Sequence, residues 1–153
     1  VTGWWVAALA LPACVFWAWG GGVTWDRPNH PVWVRGGVVR LGQVFVNLIN
    51  NAADAMENSE EKRLEIALDG LEAPGPLRVH IRDTGPGIED LNNLFEPFFT
   101  TKQPGEGVGL GLAISSGIVS DLGGRLTARN GDGQGAVFEV QLPILNEDIE
   151  AAE

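Results

Sequence analysis

Two segments of the chain carry apolar residues at the spacing of an amphipathic helix. In residues 39–57 the apolar positions recur every three or four residues, and they are Leu41, Val44, Phe45, Leu48, Ala52 and Ala55. A second helix is predicted over residues 110–122, because Gly123 and Gly124 then end the apolar run. Between the helices, residues 95–107 contain Pro97, Pro104 and Gly105 and are predicted to form a loop.

Shorter segments predict strands, most of them by the alternation of apolar and polar residues. They are residues 32–34, 64–68, 77–81, 125–129 and 136–142. The element order is strand, helix, two strands, helix, two strands, and short turns join neighbouring strands. This order predicts an α+β fold: a two-layer α/β sandwich in which helices cover one face of a mixed, mainly antiparallel sheet.

Residues 1–25 differ in composition from the rest of the chain. They contain no charged residue and hold five of the six tryptophans. Three interpretations of this segment remain open: a membrane helix of about 20 residues, a piece of a larger core, or a misjoined segment. Pro12 and the glycines at 20–22 interrupt the apolar run and weaken the first of them. We leave residues 1–25 unassigned, place one globular domain at 26–145, and expect the acidic tail, residues 146–153, to be disordered.

Two glycine motifs carry the clearest chemical signal. Asp83 follows a predicted strand and is itself followed by Gly85 and Gly87, and a second glycine cluster opens the second helix. A carboxylate can accept a hydrogen bond from an exocyclic amine such as that of adenine, and a glycine-rich helix start offers N–H groups to phosphates. Together the motifs predict a nucleotide site, although the first motif alone could be a simple turn. The site is not a Walker loop, since the Gly-Lys-Ser/Thr ending is absent.

The first helix has a polar stripe opposite its apolar face. Gln43, Asn47, Asn51 and Asp54 lie on one side of the helix, without a Lys or Arg among them. Such a stripe is most often a solvent face, but amide oxygens are also suitable ligands for Mg²⁺. The net charge of −10 favours a metal, because a polyanion such as ATP needs a cation beside so acidic a protein. The same charge argues against a nucleic-acid surface, and the single Cys14 argues against a zinc cluster.

Four motifs together resemble the sensor histidine kinases. Residues 43–56 resemble their N box, residues 83–88 the first glycine box, residues 95–102 the F box and residues 107–115 the second glycine box, in the family's order and spacing. Asn-Ala-Ala-Asp-Ala-Met in the N box and Phe-Phe-Thr-Thr-Lys in the F box are similar to the nitrogen-regulatory and C4-dicarboxylate sensor kinases. The resemblance implies the Bergerat fold, which gyrase, mismatch-repair ATPases and heat-shock chaperones share.

The resemblance also implies roles for individual residues. Asp83 would bind the adenine amine, Gly85 and Gly87 would form the floor under the base, Asn51 would hold Mg²⁺ and Asn47 would lie beside the phosphates. Asn47, Asn51 and Lys102 would be the catalytic residues. Residues 95–108 would form a mobile ATP lid, and the further ATP-binding residues would be Asp54, Ile88, Phe95, Thr100, Thr101, Lys102, Gly107, Val108, Gly109, Leu110, Gly111 and Leu112. Many relatives have Lys or Arg at the position of Asp54, so that phosphate contact is expected to be missing.

Asn47 indicates the reaction, because hydrolysing members of the superfamily carry Glu there as a general base and Asn cannot accept a proton. The resemblance implies transfer of the ATP γ-phosphoryl to a histidine on a separate dimerisation domain, and then to the receiver domain of a response regulator. His30 and His80 do not lie in the expected helical context of a phosphorylated histidine. The alternatives are a truncated or degenerate, non-catalytic nucleotide-binding module and, disfavoured by Asn47, a gyrase- or chaperone-type ATPase.

The same resemblance implies a location. Sensor kinases of this type are bacterial inner-membrane proteins with a cytoplasmic catalytic domain. A membrane contact would involve only residues 1–25 or segments outside this chain.

Overall fold

The computed structural model describes residues 21–26, 28, 32–71, 75–102 and 108–145. Residues 1–20 and the acidic tail lie outside this part, as does Gly107. Within it the elements are β1 (Gly22–Trp25), α1 (Val38–Ala55), β2 (Arg63–Asp69), β3 (Pro76–Asp83), α2 (Gly111–Asp121), β4 (Arg125–Asn130) and β5 (Ala136–Pro143). The two predicted helices and the last four predicted strands are confirmed, and none of their ends is shifted by more than two residues.

The strands form one five-stranded sheet in the order β1-β2-β3-β5-β4. β1 pairs with β2 in parallel, whereas every other pair is antiparallel. The register aligns apolar residues across the sheet, so that Ile66 lies opposite Ile81 and Val79 opposite Val140. The predicted mixed, mainly antiparallel sheet is therefore confirmed.

Both helices pack on the apolar face of this sheet, which confirms the two-layer sandwich. The apolar stripe of α1 is buried there, and α2 packs beside it over β4 and β5. Leu48, Leu64 and Val140 are fully buried between the layers. The opposite face of the sheet is polar, and there His80 Nε2 lies 2.8 Å from Asp69 Oδ2. This arrangement leaves α1 with its amide stripe outside the core.

The first strand is not where the sequence predicted it. Val34, in the predicted strand 32–34, forms only an isolated bridge with Ile144. The edge strand is instead Gly22–Trp25, within the segment left unassigned, where Val23 and Trp25 pair with Leu64 and Ile66 and pack against the core. The sheet thus begins before residue 26, where β1 pairs with backbone N–H and C=O groups of β2 that would otherwise lie at the sheet edge. None of the helices in the described ranges is long and apolar enough to cross a membrane.

Candidate functional site

Asp83 ends β3 as a buried carboxylate with a defined hydrogen-bond pattern. The residue is 2% exposed, and its Oδ1 accepts the backbone N–H of Gly85 at 2.9 Å and of Ala136 at 3.3 Å. Burial raises the pKa of Asp83, and these two hydrogen bonds act in the opposite direction. The N–H groups of Gly85 and Ala136 both donate to Oδ1 and not to Oδ2. Oδ2 can therefore accept a hydrogen bond from an amine.

The backbone of the first glycine box lies close to its neighbours. A side chain on Gly85 would place its Cβ 3.0 Å from the carbonyl oxygen of Ala55, at the end of α1. Gly87 has φ of +89°, and its Cβ would lie 2.8 Å from Asn130 Oδ1. Glycine is required at this second position by both the backbone angle and the close contact. Both glycines therefore pack closely against neighbouring groups, and their role as the floor under a base remains a prediction.

Asn130, the last residue of β4, holds the backbone of the first glycine box. Its Oδ1 accepts the Ile88 N–H at 2.7 Å, and its Nδ2 donates to the Ile88 carbonyl at 3.0 Å. In the same turn, Gln134 Nε2 donates to the Thr84 carbonyl at 2.8 Å. The turn between β4 and β5 therefore holds the first glycine box on two sides. The Asn-Gly pair at 130–131 is an ordinary turn signal, and nothing local in the sequence indicates the distant partner.

The amide stripe of α1 contacts the second glycine box through Asn47. Asn47 Nδ2 donates to Ser115 Oγ at 3.0 Å, and Ser115 is itself buried in α2. Gly111 lies so close that a side chain there would overlap Asn47 Oδ1. Asn51 lies one turn further along the same half-buried side of α1. The predicted metal ligand and the start of α2 are thus on the same side of the molecule.

The start of α2 has the features of an anion site. No side chain caps its first turn, Leu110 is its N-cap residue, and its first turn contains no acidic residue. The first N–H groups of the helix can therefore meet an anionic ligand. Just before it, Gly109 adopts φ of +69°, and its carbonyl accepts the Phe98 N–H at 2.9 Å. Leu112 is half-buried against the core.

The segment 95–102 runs from the core to the end of α1. Phe95 packs partly against the core, whereas Phe98 is 70% exposed with φ of +66°. Thr100 Oγ1 accepts the Lys102 N–H at 3.1 Å, and Lys102 Nζ forms an ion pair with Asp54. Asp54 is therefore engaged by a lysine from the loop. The remaining predicted residues, Thr101 and Val108, are exposed.

A divalent metal would need donors other than a cluster of His, Cys, Asp or Glu side chains from the described residues. Within the described ranges, no group of three His, Cys, Asp or Glu residues could hold a metal ion. Mg²⁺, however, is commonly bound through one or two protein oxygens together with phosphate oxygens and water. The Asn51 amide fits that incomplete kind of site.

Three of the predicted motifs therefore meet the second half of α1. Gly111 lies against Asn47, Lys102 pairs with Asp54, and Gly85 lies against the Ala55 carbonyl. A buried acceptor and an uncapped helix start that both lie beside α1 fit an elongated ligand with an amine at one end and negative charge at the other.

Comparison with known proteins identifies the family of the chain. Residues 36–146 match the family described as histidine kinase-, DNA gyrase B- and HSP90-like ATPases. The two-component sensor PprA of Pseudomonas aeruginosa is 43% identical over 122 residues, which cover 76% of this chain and 13% of PprA. The C4-dicarboxylate transport sensor protein DctB of the same organism is 40% identical over 119 residues, 76% of this chain and 19% of DctB. Full-length ShkA, solved in complex with AMPPNP, has a TM-score of 0.76 at 25% identity, over 95% of this chain and 32% of that one.

These matches confirm the predicted Bergerat fold and the resemblance that the four motifs carry. The matched region contains all four boxes, and DctB is a C4-dicarboxylate sensor, as the motif wording predicted. The chain spans at most 19% of the length of these two relatives. The chain belongs to the histidine kinase-, DNA gyrase B- and HSP90-like ATPases, in the branch formed by the ATP-binding catalytic domains of two-component sensor histidine kinases.

Proposed function

We propose that this domain binds ATP with Mg²⁺ along α1 and transfers the γ-phosphoryl group to a histidine on a separate dimerisation domain. The observation that carries the proposal is that two chemically different groups, a buried carboxylate and an uncapped helix start, both lie beside α1. Buried Asp83 lies near the C-terminal end of α1, and the uncapped start of α2 packs against Asn47 in the middle of the same helix. The nucleotide analogue in the similar ShkA structure supports the same ligand class.

Each of these two groups would bind a different part of the nucleotide. Asp83 Oδ2 would accept the adenine amine while Oδ1 keeps its two backbone hydrogen bonds. Gly85, Gly87 and Ile88 would lie against the base, and Asn130 would hold them in place. The N–H groups at the start of α2 would bind phosphate oxygens. Further contributions would come from Phe95, Thr100, Thr101, Lys102, Val108, Gly109, Leu110, Gly111 and Leu112, and from Gly107, which lies outside the described residues.

Asn51 would be the protein ligand of Mg²⁺, with Asn47 beside it. When bound, the metal neutralises charge on the phosphates during transfer. Asn47 cannot take a proton from water, and its Nδ2 is already bonded to Ser115. Asn at this position therefore favours transfer of the γ-phosphoryl group to an acceptor over hydrolysis of ATP by water.

The transfer would form one bond and break one bond. A ring nitrogen of the acceptor histidine would bond to the γ-phosphorus, and the bond to the β,γ-bridging oxygen would break, so that ADP leaves. Lys102 and the N–H groups of α2 would stabilise the negative charge. His80 is a poor acceptor, because it lies on the sheet face opposite the helices, between Asp69 and Glu139.

The partners and location belong to the same proposal. The phosphoryl group would pass from the dimerisation-domain histidine to an Asp of a response-regulator receiver domain. The catalytic domain would lie on the cytoplasmic side of a bacterial inner-membrane sensor. The names of PprA, a two-component sensor, and DctB, a sensor protein, support the part of this proposal that concerns two-component signalling.

The test supplies the missing acceptor in trans. The domain is incubated with γ-labelled ATP, Mg²⁺ and the isolated dimerisation domain of a similar sensor kinase, with an acceptor whose histidine is replaced by Ala as the control. Label on the histidine, absent from the control, supports the proposal. ATP binding without transfer would instead indicate a non-catalytic module, and steady ATP turnover without acceptor would indicate an ATPase.

A further inference from the structure

The ion pair between Asp54 and Lys102 joins two parts of the candidate site. Asp54 lies in the last turn of α1, and Lys102 follows the Phe-Phe-Thr-Thr run of the loop. Their side chains are 41% and 35% exposed, so the pair is half in solvent. The Lys102 backbone is held separately, since its N–H donates to Thr100 Oγ1 at 3.1 Å. The side chain can therefore move without the backbone.

The position of Asp54 is unfavourable for a site that receives a polyanion. Asp54 follows Asn51 by three residues on the same side of α1, which is about 4.5 Å along the helix axis. In the structure Lys102 compensates this charge. A half-exposed ion pair contributes little to stability in water, so a phosphate can replace the carboxylate as the partner of Lys102.

We propose that Asp54 forms an ion pair with Lys102 in the nucleotide-free domain and competes with the nucleotide phosphates for this lysine. Asp54 then sets how tightly the domain holds ATP, and it acts through Lys102. The inference rests on the proposed function, because it requires ATP to bind beside α1. The lysine ammonium is the group that changes partner, from the Asp54 carboxylate to a phosphate oxygen.

A double-mutant cycle separates competition from simple repulsion. Calorimetry measures ATP affinity in Mg²⁺ for the parent, Asp54→Asn, Lys102→Met and the double variant. Competition predicts that Asp54→Asn tightens binding, and that the gain is about two- to fivefold larger when Lys102 is present, the range measured for exposed ion pairs. Equal gains in both backgrounds would mean that Asp54 acts by repulsion alone. Weaker binding of Asp54→Asn would mean that the carboxylate presents Lys102 to the ligand. Either result overturns the proposal.

Trypsin reports on the ion pair without any nucleotide. In the nucleotide-free domain, cleavage after Lys102 should be faster in Asp54→Asn than in the parent, as followed by mass spectrometry. The matched control is Asp121→Asn, which removes a carboxylate from a surface ion pair with Arg40 at 2.6 Å. This control should leave both the cleavage after Lys102 and the ATP affinity unchanged. Unchanged cleavage in Asp54→Asn overturns the proposal.

A parent that does not bind ATP refutes the proposed function itself, whereas ATP binding without coupling between Asp54 and Lys102 refutes only the competition.

Discussion

The replacement Asp83→Asn removes a buried charge at nearly constant volume. The Asn carbonyl oxygen can keep the two backbone hydrogen bonds that Oδ1 accepts from Gly85 and Ala136. Its amide group then presents a donor where the adenine amine needs an acceptor. A hydrogen bond to a charged group contributes about 1.5–3 kcal/mol, and each 1.4 kcal/mol is a factor of about ten in affinity. We therefore expect ATP affinity to fall roughly 10- to 150-fold.

Calorimetric titration with ATP and Mg²⁺ measures this loss. The matched control is Asp132→Asn, which makes the same charge change at an exposed position in the turn between β4 and β5. Its affinity should equal that of the parent. An Asp83→Asn domain that binds ATP within twofold of the parent would refute the adenine assignment.

The same variant has a pH-dependent effect on folding. Burial raises the pKa of Asp83 above the unfolded value of 3.8, so the folded chain binds this proton more tightly than the unfolded chain does. That stabilising contribution is fully present below the unfolded pKa and is lost as the pH rises through the folded pKa. At pH 7 the ionised carboxylate therefore opposes folding. Asp83→Asn should unfold at a higher urea concentration than the parent at pH 7, and the difference should shrink toward pH 3.5. A parent that is the more stable of the two at pH 7 would contradict the dominance of burial over the two hydrogen bonds.

Three other substitutions test separate parts of the site. Asn51→Ala should weaken ATP binding in Mg²⁺ and leave binding in EDTA unchanged, and equal losses in both buffers would contradict a metal role. Asn130→Ala removes two hydrogen bonds to Ile88, each contributing about 0.5–1.5 kcal/mol to stability. Calorimetry should show a reduced ATP affinity, with roughly 150-fold as the upper bound, and an unchanged affinity would refute its positioning role. Gly111→Ala should displace Asn47 and weaken ATP binding more than adenosine binding, whereas equal effects on the two ligands would place the disturbance at the adenine end.

The sequence predicted the parts of the fold that depend on local periodicity. The apolar stripe of α1 and the alternation in β2 and β3 are both properties of a few consecutive residues, and both elements are present. The edge strand β1 was missed because Gly22–Trp25 lies within a tryptophan-rich run whose composition hid a four-residue strand. Its parallel pairing with β2 joins segments that are about forty residues apart in the chain.

The sequence predicted the motifs of the candidate site, but it did not predict the contacts between those motifs. Asn130 meets Ile88 across 42 positions, and Lys102 meets Asp54 across 48 positions. Neither pair shares a helix turn or a strand register, so no spacing rule connects them. The expectation that Asp54 lacks a phosphate contact remains a prediction, but the sequence did not indicate that this carboxylate would bind the loop lysine.

The contacts of α1 have a consequence for the length of the ligand. Gly111 lies against Asn47 and Gly85 lies against Ala55, so one helix holds both glycine boxes. Eight residues of helix separate these points, which is about 12 Å along the axis. In the proposed binding mode the helix therefore sets the length of the ligand, because a nucleotide has to extend about 12 Å to contact both Asp83 and the start of α2.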